Sequence, residues 1–338
     1  MSPAEKPREP GAPLRVGVIG SGAMAETHLR AWRALDLPWV AVHDRNKKAS
    51  TALGQAFGTL VYDDMARLMQ DCDVVDVCLP TFLHREVVEQ AAREGRHVIC
   101  EKPLALSAED GAAMIRACER AGVRLFVAMV VRFFPQYLKA AELVHNGHIG
   151  SLQVMRLKRV GFPPHGGSSW FADDTLSGGV MVDMMLHDID YALWLAGGVT
   201  QVYAKLTRTA TRQYAQTVLT HDNGVITHIE SGWAYQPGLF RTGLDLAGTQ
   251  GLVEWSSDEL LPTLHLPERQ QDARAVPLPA VSDLNDPYTA QLRHALSCLE
   301  RGTPFDVTAE DALRALQVAL AARHSALTGQ AVYPKVSA

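Results

Sequence analysis

The chain has 338 residues, of which 47% are hydrophobic and 20% are charged, and its formal net charge is −5. This length exceeds what one ordinary core needs and predicts two domains with a globular composition. The slight negative charge gives no electrostatic reason to expect binding to nucleic acid or to an anionic membrane. No apolar run in the sequence approaches the ~18 residues needed to span a bilayer.

Residues 1–13 are rich in proline and charge and lack an apolar segment, which predicts a disordered tail and no signal peptide. The sequence contains five scattered cysteines without a C-x-x-C pair, namely Cys72, Cys78, Cys100, Cys118 and Cys298. An odd number of dispersed cysteines predicts reduced, structural thiols in a cytoplasmic protein. A disulfide framework or a zinc site would require a different pattern.

Between residues 14 and 131, short apolar runs alternate with amphipathic helical segments. We interpret as strands the runs 14–19, 40–42, 74–79, 97–100 and 125–130, and as helices the segments 23–35, 47–57, 83–94 and 108–121. This alternation predicts an α/β unit, a doubly wound Rossmann domain with a parallel sheet and helices on both faces.

A glycine-rich turn joins the first predicted strand to the first predicted helix. Its sequence is Gly20-Ser21-Gly22-Ala23-Met24-Ala25, a G-x-G-x-x-A form of the dinucleotide fingerprint. Gly20 permits the tight turn, Gly22 lets the backbone approach a pyrophosphate, and Ala25 allows close packing of helix on strand. The turn therefore predicts dinucleotide binding; the alternative is a glycine-rich turn that binds nothing.

Asp44 ends the second predicted strand, about 20 residues beyond the turn, where an acidic side chain accepts hydrogen bonds from the adenosine ribose. Such a residue repels a 2′-phosphate, which favours NAD over NADP. The neighbouring Arg45, Lys47 and Lys48 oppose this preference, because a guanidinium at this position could hold the 2′-phosphate of NADP. Asp44 could also be an ordinary turn residue.

Two further strand ends bring polar residues to the carboxyl edge of the sheet, where open α/β sheets bind ligands. They are the segments Pro80-Thr81-Phe82-Leu83-His84 and Glu101-Lys102-Pro103. His84 would either contact the nicotinamide side of a cofactor or merely occupy the first helical turn. Lys102 could exchange a proton with a substrate oxygen if burial and neighbours lower its pKa toward ~7 to 8; otherwise it is a solvated charge.

We place a second domain at residues 132–338, in which the pattern changes after about residue 150 to consecutive strand-like runs. These runs are 152–159, 202–208, 216–221, 225–229, 242–247 and 252–255. One helix over 178–195 precedes most of them, and two over 288–300 and 309–325 follow. The pattern predicts an α+β domain with a mixed, largely antiparallel sheet. A sheet that has helices on one face needs a partner for the other, which predicts a homodimer or homotetramer.

Asp183 and His187 are separated by four positions on the predicted helix, so they would share one face. A carboxylate beside an imidazole can set its tautomer and raise its basicity, which suits a proton acceptor for an alcohol. The alternatives are a surface ion pair and a metal site formed with Asp190. Because the other residues of this helix are mostly apolar, we favour a buried functional pair and expect no metal.

Two residues outside these motifs are candidates for substrate contact. Arg132 follows the last predicted strand of the first domain and would either orient a substrate or tie the domains together. Trp170 lies on a glycine-rich loop and would either form a wall of a sugar-sized pocket or anchor that loop.

Taken together, these residues resemble the Gfo/Idh/MocA oxidoreductase family, named for glucose-fructose oxidoreductase and inositol dehydrogenase. The matching segments are 20–25, 44, 80–84, 95–104, 132–133, 177–190, 248–251 and 308–329. The resemblance implies a Rossmann domain, a C-terminal mixed-sheet domain used for oligomerisation, and a nicotinamide cofactor in the cleft. It also implies that Lys102, Asp183 and His187 form the catalytic group.

The function that we predict from the sequence is reversible hydride transfer between a nicotinamide and a sugar, polyol or related hydroxy compound. His187 would be the general acid and base, Lys102 would polarise the reacting oxygen, and Asp183 would orient His187 or Lys102. The expected cofactor contacts are Gly20, Gly22, Ala23, Met24, Ala25, Asp44, Arg45, Pro80, Thr81, His84, Glu101 and Lys102. The expected substrate contacts are Arg132, Trp170, Asp183 and His187. A dinucleotide-binding regulator on the same fold is the alternative.

Overall fold

The computed structural model describes residues 12–164, 169–258, 263–265, 274–275 and 286–334. Six strands in these residues form one parallel sheet: β1 (Val16–Ile19), β2 (Val40–His43), β3 (Leu60–Val61), β4 (Val74–Val77), β5 (His97–Glu101) and β6 (Leu125–Ala128). Their order across the sheet is β3-β2-β1-β4-β5-β6, with parallel pairing throughout. Every residue of β1 and β4 is buried, which is why these strands do not alternate between apolar and polar residues; Asp76 is the one polar residue in them.

Five helices connect these strands: α1 (Ala23–Ala34), α2 (Lys47–Phe57), α3 (Met65–Asp71), α4 (His84–Arg93) and α5 (Ala108–Ala121). Side chains cap three of them, since Asn46, Asp64 and Ser107 accept hydrogen bonds from first-turn N–H groups. The parallel sheet and its connecting helices confirm the predicted Rossmann fold. The sequence pattern missed β3, which is only two residues long and exposed, and α3, which is only seven residues long.

Eight strands among the described residues form a second sheet, in which β10 is parallel to β7 and the other pairs are antiparallel. The strands are β7 (Leu152–Gly161), β8 (Val199–Arg208), β9 (Gln213–His221), β10 (Ile226–Trp233), β11 (Arg241–Gly248), β12 (Leu252–Ser256), β13 (Thr263–His265) and β14 (Arg274–Ala275). Their order is β14-β13-β12-β11-β7-β10-β9-β8. The sheet is thus mixed and largely antiparallel, as predicted.

The helices of the second unit are α6 (Pro135–His145), α7 (Asp174–Ser177), α8 (Gly179–Asp183), α9 (Leu186–Ala196), α10 (Pro287–Arg301) and α11 (Ala309–Thr328). The sequence pattern missed α6. The single helix predicted over 178–195 is wrong in one respect, because it is broken after Asp183 and resumes at Leu186. A hairpin turn after His221 joins β9 and β10, which pair antiparallel.

The last two helices return to the first sheet. Helix α10 packs on α1, and α11 packs on α5 as well as on β8 and α9. Arg124, just before β6, donates hydrogen bonds to the carbonyl oxygens of Cys298 and Thr303. The two units therefore share buried contacts over a wide area rather than meeting only at a linker.

No helix in the described part of the chain is both long and apolar enough to cross a membrane. All five cysteines are buried and unpaired.

Candidate active site

The glycine-rich turn at the carboxyl end of β1 has two glycines with different constraints. A Cβ on Gly20, whose φ is +125°, would come within 2.3 Å of the Cys78 carbonyl oxygen. A Cβ on Gly22 would meet no atom within 4 Å. No side chain caps the N-terminus of α1 at Gly22. Gly20 is therefore required because the chain after β4 packs closely against it, whereas Gly22 has open space beside it. That space adjoins the N-terminus of α1, where a pyrophosphate can bind.

Asp44 is held in place directly beyond the turn. Its Oδ2 accepts a hydrogen bond from Ser21 Oγ at 2.8 Å, and its Oδ1 accepts one from the Asn46 N–H at 2.7 Å. Arg45 is exposed, and Lys47 forms an ion pair with Asp63 at 3.1 Å. The carboxylate thus belongs to the same rim as the glycine turn, which is where a ribose would bind.

The segment after β4 combines an exposed residue with a buried histidine. Pro80 and Thr81 begin a 3₁₀ turn in which Phe82 is 42% exposed. His84 is 0% exposed; its Nδ1 lies 3.0 Å from the Pro103 carbonyl oxygen and its Nε2 lies 2.9 Å from that of Leu79. Burial lowers the pKa of His84. His84 begins α4 and so lies in the first helical turn, and its buried ring connects the segments that follow β4 and β5. Its contact with a cofactor stays a prediction.

Lys102 and Asp183 meet at the end of β5, although 81 positions separate them in sequence. The Lys102 Nζ donates to the Asp183 carbonyl oxygen at 2.8 Å and to its carboxylate Oδ1 at 3.1 Å. The two side chains are 16% and 14% exposed, so the ion pair is mostly shielded but open on one side. A partly shielded cation of this kind can approach a substrate oxygen from the cleft.

His187 lies near this pair on the first turn of α9. Burial, followed by the positive charges of Lys102 and Arg159, lowers its pKa well below the ordinary histidine value. Its Nδ1 is buried and has no hydrogen-bond partner among the described residues. The imidazole is therefore neutral at neutral pH and can accept a proton. Since Asp183 pairs with Lys102, the expected Asp183–His187 pair is not formed; the helix break separates them.

Arg132 and Asp190, which lies one turn beyond His187 on α9, form a buried pair. Arg132 Nε and Nη2 donate to the two Asp190 oxygens at 2.8 and 2.6 Å, and the side chains are 6% and 1% exposed. Arg132 thus connects the segment after β6 to α9 and does not face the cleft. With both its oxygens bound, Asp190 does not join Asp183 and His187 in the metal cluster considered above.

A second buried pair, Arg159 with Asp188, was missed from the sequence. Arg159 donates to both Asp188 oxygens at 3.0 Å, and burial raises the pKa of Asp188 despite the facing guanidinium. The available signal was the presence of two aspartates in an otherwise apolar helix, because buried carboxylates need cationic partners.

Trp170 lies in a 3₁₀ turn over Ser169–Ala172 and stacks on Phe171, with ring centroids 3.8 Å apart. Its ring also meets Phe82 edge-on at 6.4 Å. The aromatic side chains of the second unit thus reach the turn after β4 in the first unit. Residues 165–168, which belong to the same predicted loop, lie outside the described residues.

Glu101, expected as a cofactor contact, has a carboxylate that is 4% exposed and bonded to His28 inside the first unit. It therefore faces the interior rather than the cleft. No local sequence pattern indicates this contact, because His28 is one polar residue on an amphipathic helix.

This fold and this site define a class of enzyme, the nicotinamide-dependent oxidoreductases, in which a Rossmann sheet holds the cofactor and a second domain closes the cleft. Residues 14–129 match the model of the oxidoreductase family with an NAD-binding Rossmann fold, and residues 137–254 match the GFO/IDH/MocA C-terminal domain. The chain therefore belongs to the Gfo/Idh/MocA oxidoreductase family.

Relatives and solved structures agree with this assignment. The chain is 31% identical over 334 residues to a D-apiose dehydrogenase of Paraburkholderia graminis, covering 93% of this chain and 88% of that protein. It is 28% identical to a myo-inositol 2-dehydrogenase of Thermotoga maritima, with 92% and 96% covered. An oxidoreductase from Agrobacterium radiobacter, solved with NAD⁺, L-tartaric acid and magnesium, has a TM-score of 0.83 at 26% identity, with 95% and 98% covered.

Proposed function

We propose that the protein is an NAD-dependent dehydrogenase that acts reversibly on a CH–OH group of a sugar, polyol or related hydroxy compound. The observation that carries this proposal is the pairing of Lys102 Nζ with Asp183 at 3.1 Å, close to the neutral imidazole of His187. The names of the relatives, which include apiose and inositol dehydrogenases, support the substrate class.

The residues around the glycine turn fit the cofactor. Gly22 leaves open space beside the uncapped N-terminus of α1, where a pyrophosphate would accept hydrogen bonds from N–H groups. Asp44, fixed by Ser21, would accept from the ribose hydroxyls. This arrangement supports NAD as the preferred cofactor, with NADP used weakly through Arg45.

Each catalytic side chain has a distinct task in this proposal. In the oxidation direction His187 accepts the hydroxyl proton of the substrate, and in reduction it returns that proton to the oxygen. Lys102 donates a hydrogen bond to the same oxygen and stabilises negative charge on it, while Asp183 holds the Lys102 ammonium in place. The bound nicotinamide supplies the hydride acceptor or donor.

The test is a screen of pentoses, hexoses and inositols with NAD and with NADP, following the absorbance of the reduced cofactor. Lys102→Met and His187→Ala should each lower kcat by roughly 10²–10⁴ and leave cofactor affinity near wild type. Full activity in either variant would remove that residue from the mechanism. A wild-type protein that binds NAD and turns over no hydroxy compound would be a regulator instead.

We also propose that the units divide near residue 132 and that the enzyme is a cytoplasmic homodimer or homotetramer. The five unpaired, buried cysteines support a reducing compartment. Helices cover one face of the second sheet, and the other face carries ion pairs such as Arg156–Asp245 and Lys158–Glu230. A second copy would bind this polar face. Analytical ultracentrifugation tests the proposal, and a monomer at micromolar concentration would overturn it.

A further inference from the structure

A buried polar network lies inside the first unit, next to the residue that precedes Lys102. The Nδ1 of His28 on α1 is 3.0 Å from both carboxylate oxygens of Asp76 on β4, and its Nε2 is 3.0 Å from Glu101 Oε1 on β5. His28 and Asp76 are 0% exposed. The network connects the helix of the glycine turn to the strand that ends in the catalytic segment.

The arrangement fixes the protonation of His28. Each ring nitrogen lies 3.0 Å from a carboxylate oxygen, and an imidazolium can donate to both carboxylates at once. Burial by itself lowers the pKa of His28, but the charge of Asp76 holds that pKa well above the ordinary value. The other titratable groups near the ring are Cys78 and Tyr288, and burial raises the pKa of each, to about 12 for Cys78.

Glu101 links this cation to the main chain of Lys102. One carboxylate oxygen, Oε1, receives the His28 hydrogen bond, and the other, Oε2, accepts from the Lys102 N–H at 3.1 Å. The carboxylate is held at both oxygens, so the peptide that begins Lys102 is held with it. Without His28, the Oε1 atom of Glu101 loses its hydrogen-bond partner, and the carboxylate that accepts from the Lys102 N–H is no longer held at both oxygens.

We propose that His28 is a positioning residue for Lys102: its imidazolium anchors Glu101, and Glu101 fixes the backbone from which the Lys102 Nζ reaches the substrate oxygen. The inference rests on the proposed role of Lys102. A catalytic group displaced by about 1 Å can cost roughly 10²-fold in rate, so a loss of this anchor should appear in kcat.

Two substitutions at His28 separate its two hydrogen bonds. In His28→Gln the amide nitrogen takes the place of Nε2, which faces Glu101; in His28→Asn it takes the place of Nδ1, which faces Asp76. We expect His28→Asn to lower kcat at least tenfold, and His28→Gln to retain about a third of the wild-type value or more. The NAD dissociation constant should stay within about threefold of wild type in both variants.

Trp32→Phe is the matched control. Trp32 lies on the same helix, and its Nε1 donates to the same carboxylate, Asp76 Oδ2, at 2.8 Å. The Trp32 indole N–H bonds to Asp76 and not to Glu101. This substitution should lower the free energy of unfolding and leave kcat within about twofold of wild type, because one buried hydrogen bond is lost without a change at Glu101.

Equal kcat for His28→Asn and wild type would overturn the proposal, as would an equal loss of kcat in His28→Asn, His28→Gln and Trp32→Phe. The latter result would mean that the network only stabilises α1. Lys102→Met, measured in the same series, distinguishes failure of the proposed mechanism from failure of the positioning role of His28. If Lys102→Met is fully active, the proposed mechanism fails; if it is inactive while His28→Asn is normal, only the positioning role fails.

Discussion

Gly20 and Gly22 lie two positions apart in one turn but are needed for different reasons. Because a Cβ at position 22 meets no protein atom within 4 Å, Gly22→Val should fold normally. Its branched side chain would fill the space that a pyrophosphate needs, so NAD affinity should fall at least tenfold, about 1.4 kcal/mol. Fluorescence titration with NADH measures the change.

Gly20→Ala is the contrasting variant. Its Cβ would clash with the Cys78 carbonyl oxygen at 2.3 Å, and the positive φ is strained for alanine, so this change should lower the melting temperature. Wild-type NAD affinity in a folded Gly22→Val protein would contradict the cofactor site.

We predict that Asp44 determines the preference between NAD and NADP. In Asp44→Ser the charge that repels a 2′-phosphate is lost and Arg45 is free to pair with it, so the ratio of kcat/KM for NADP over NAD should rise at least tenfold. Ser21→Ala keeps the Asp44 charge but removes the hydroxyl that holds it at 2.8 Å, so the rise should be smaller. An unaltered ratio in Asp44→Ser would mean that Asp44 does not contact the ribose.

At the scale of elements, the break between α8 and α9 is decisive for the site. It turns Asp183 toward Lys102 and leaves His187 half-buried near two cations. The apolar run from 178 to 195 predicted one continuous helix. Helix propensity and periodicity do not show where tertiary contacts interrupt a helix, so the break was missed. The strands and helices of the Rossmann unit were predictable, because buried parallel strands leave strong apolar runs.

The lowered pKa of His187 predicts a pH dependence of stability. Below the unfolded-state value near 6.5 the unfolded chain binds a proton that the folded chain does not, so the free energy of unfolding falls as pH drops from about 6.5 toward the folded pKa. Urea titrations at pH 7.5 and pH 5.5 should show a smaller loss in His187→Gln than in wild type. Equal losses would place the histidine in contact with water.

Ion pairs between residues that are distant in the chain could not be predicted from the sequence. Arg132 and Asp190 are 58 positions apart, and His28 and Glu101 are 73 apart, so neither pair leaves a local pattern. In the sequence, each such residue resembles a surface charge or a ligand-binding residue. For this reason Arg132 was expected to contact the substrate and Glu101 the cofactor. What the sequence does reveal are the motifs at strand ends, because the topology of a parallel sheet brings those ends together.

At the scale of the whole molecule, Arg132 connects the segment after β6 to α9. Removing one partner of such a buried pair leaves the other charge unpaired, so Arg132→Leu should lower the free energy of unfolding by about 3–5 kcal/mol. The double variant Arg132→Leu/Asp190→Leu should recover much of that loss, because no lone charge remains buried. Urea denaturation measures both, and a double variant less stable than the single one would contradict this account.

The return of α10 to α1 has a consequence for the order in which the polypeptide matures. During synthesis the ribosome releases the whole parallel sheet long before residues 287–301 emerge, so the side of α1 that α10 will cover is bare in the nascent chain. The surface of the nucleotide-binding half is therefore complete only after α10 (Pro287–Arg301) has been synthesised. A fragment ending at residue 131 should bind a hydrophobic dye that the full chain excludes, and dye exclusion by the fragment would show that α1 needs no such cover.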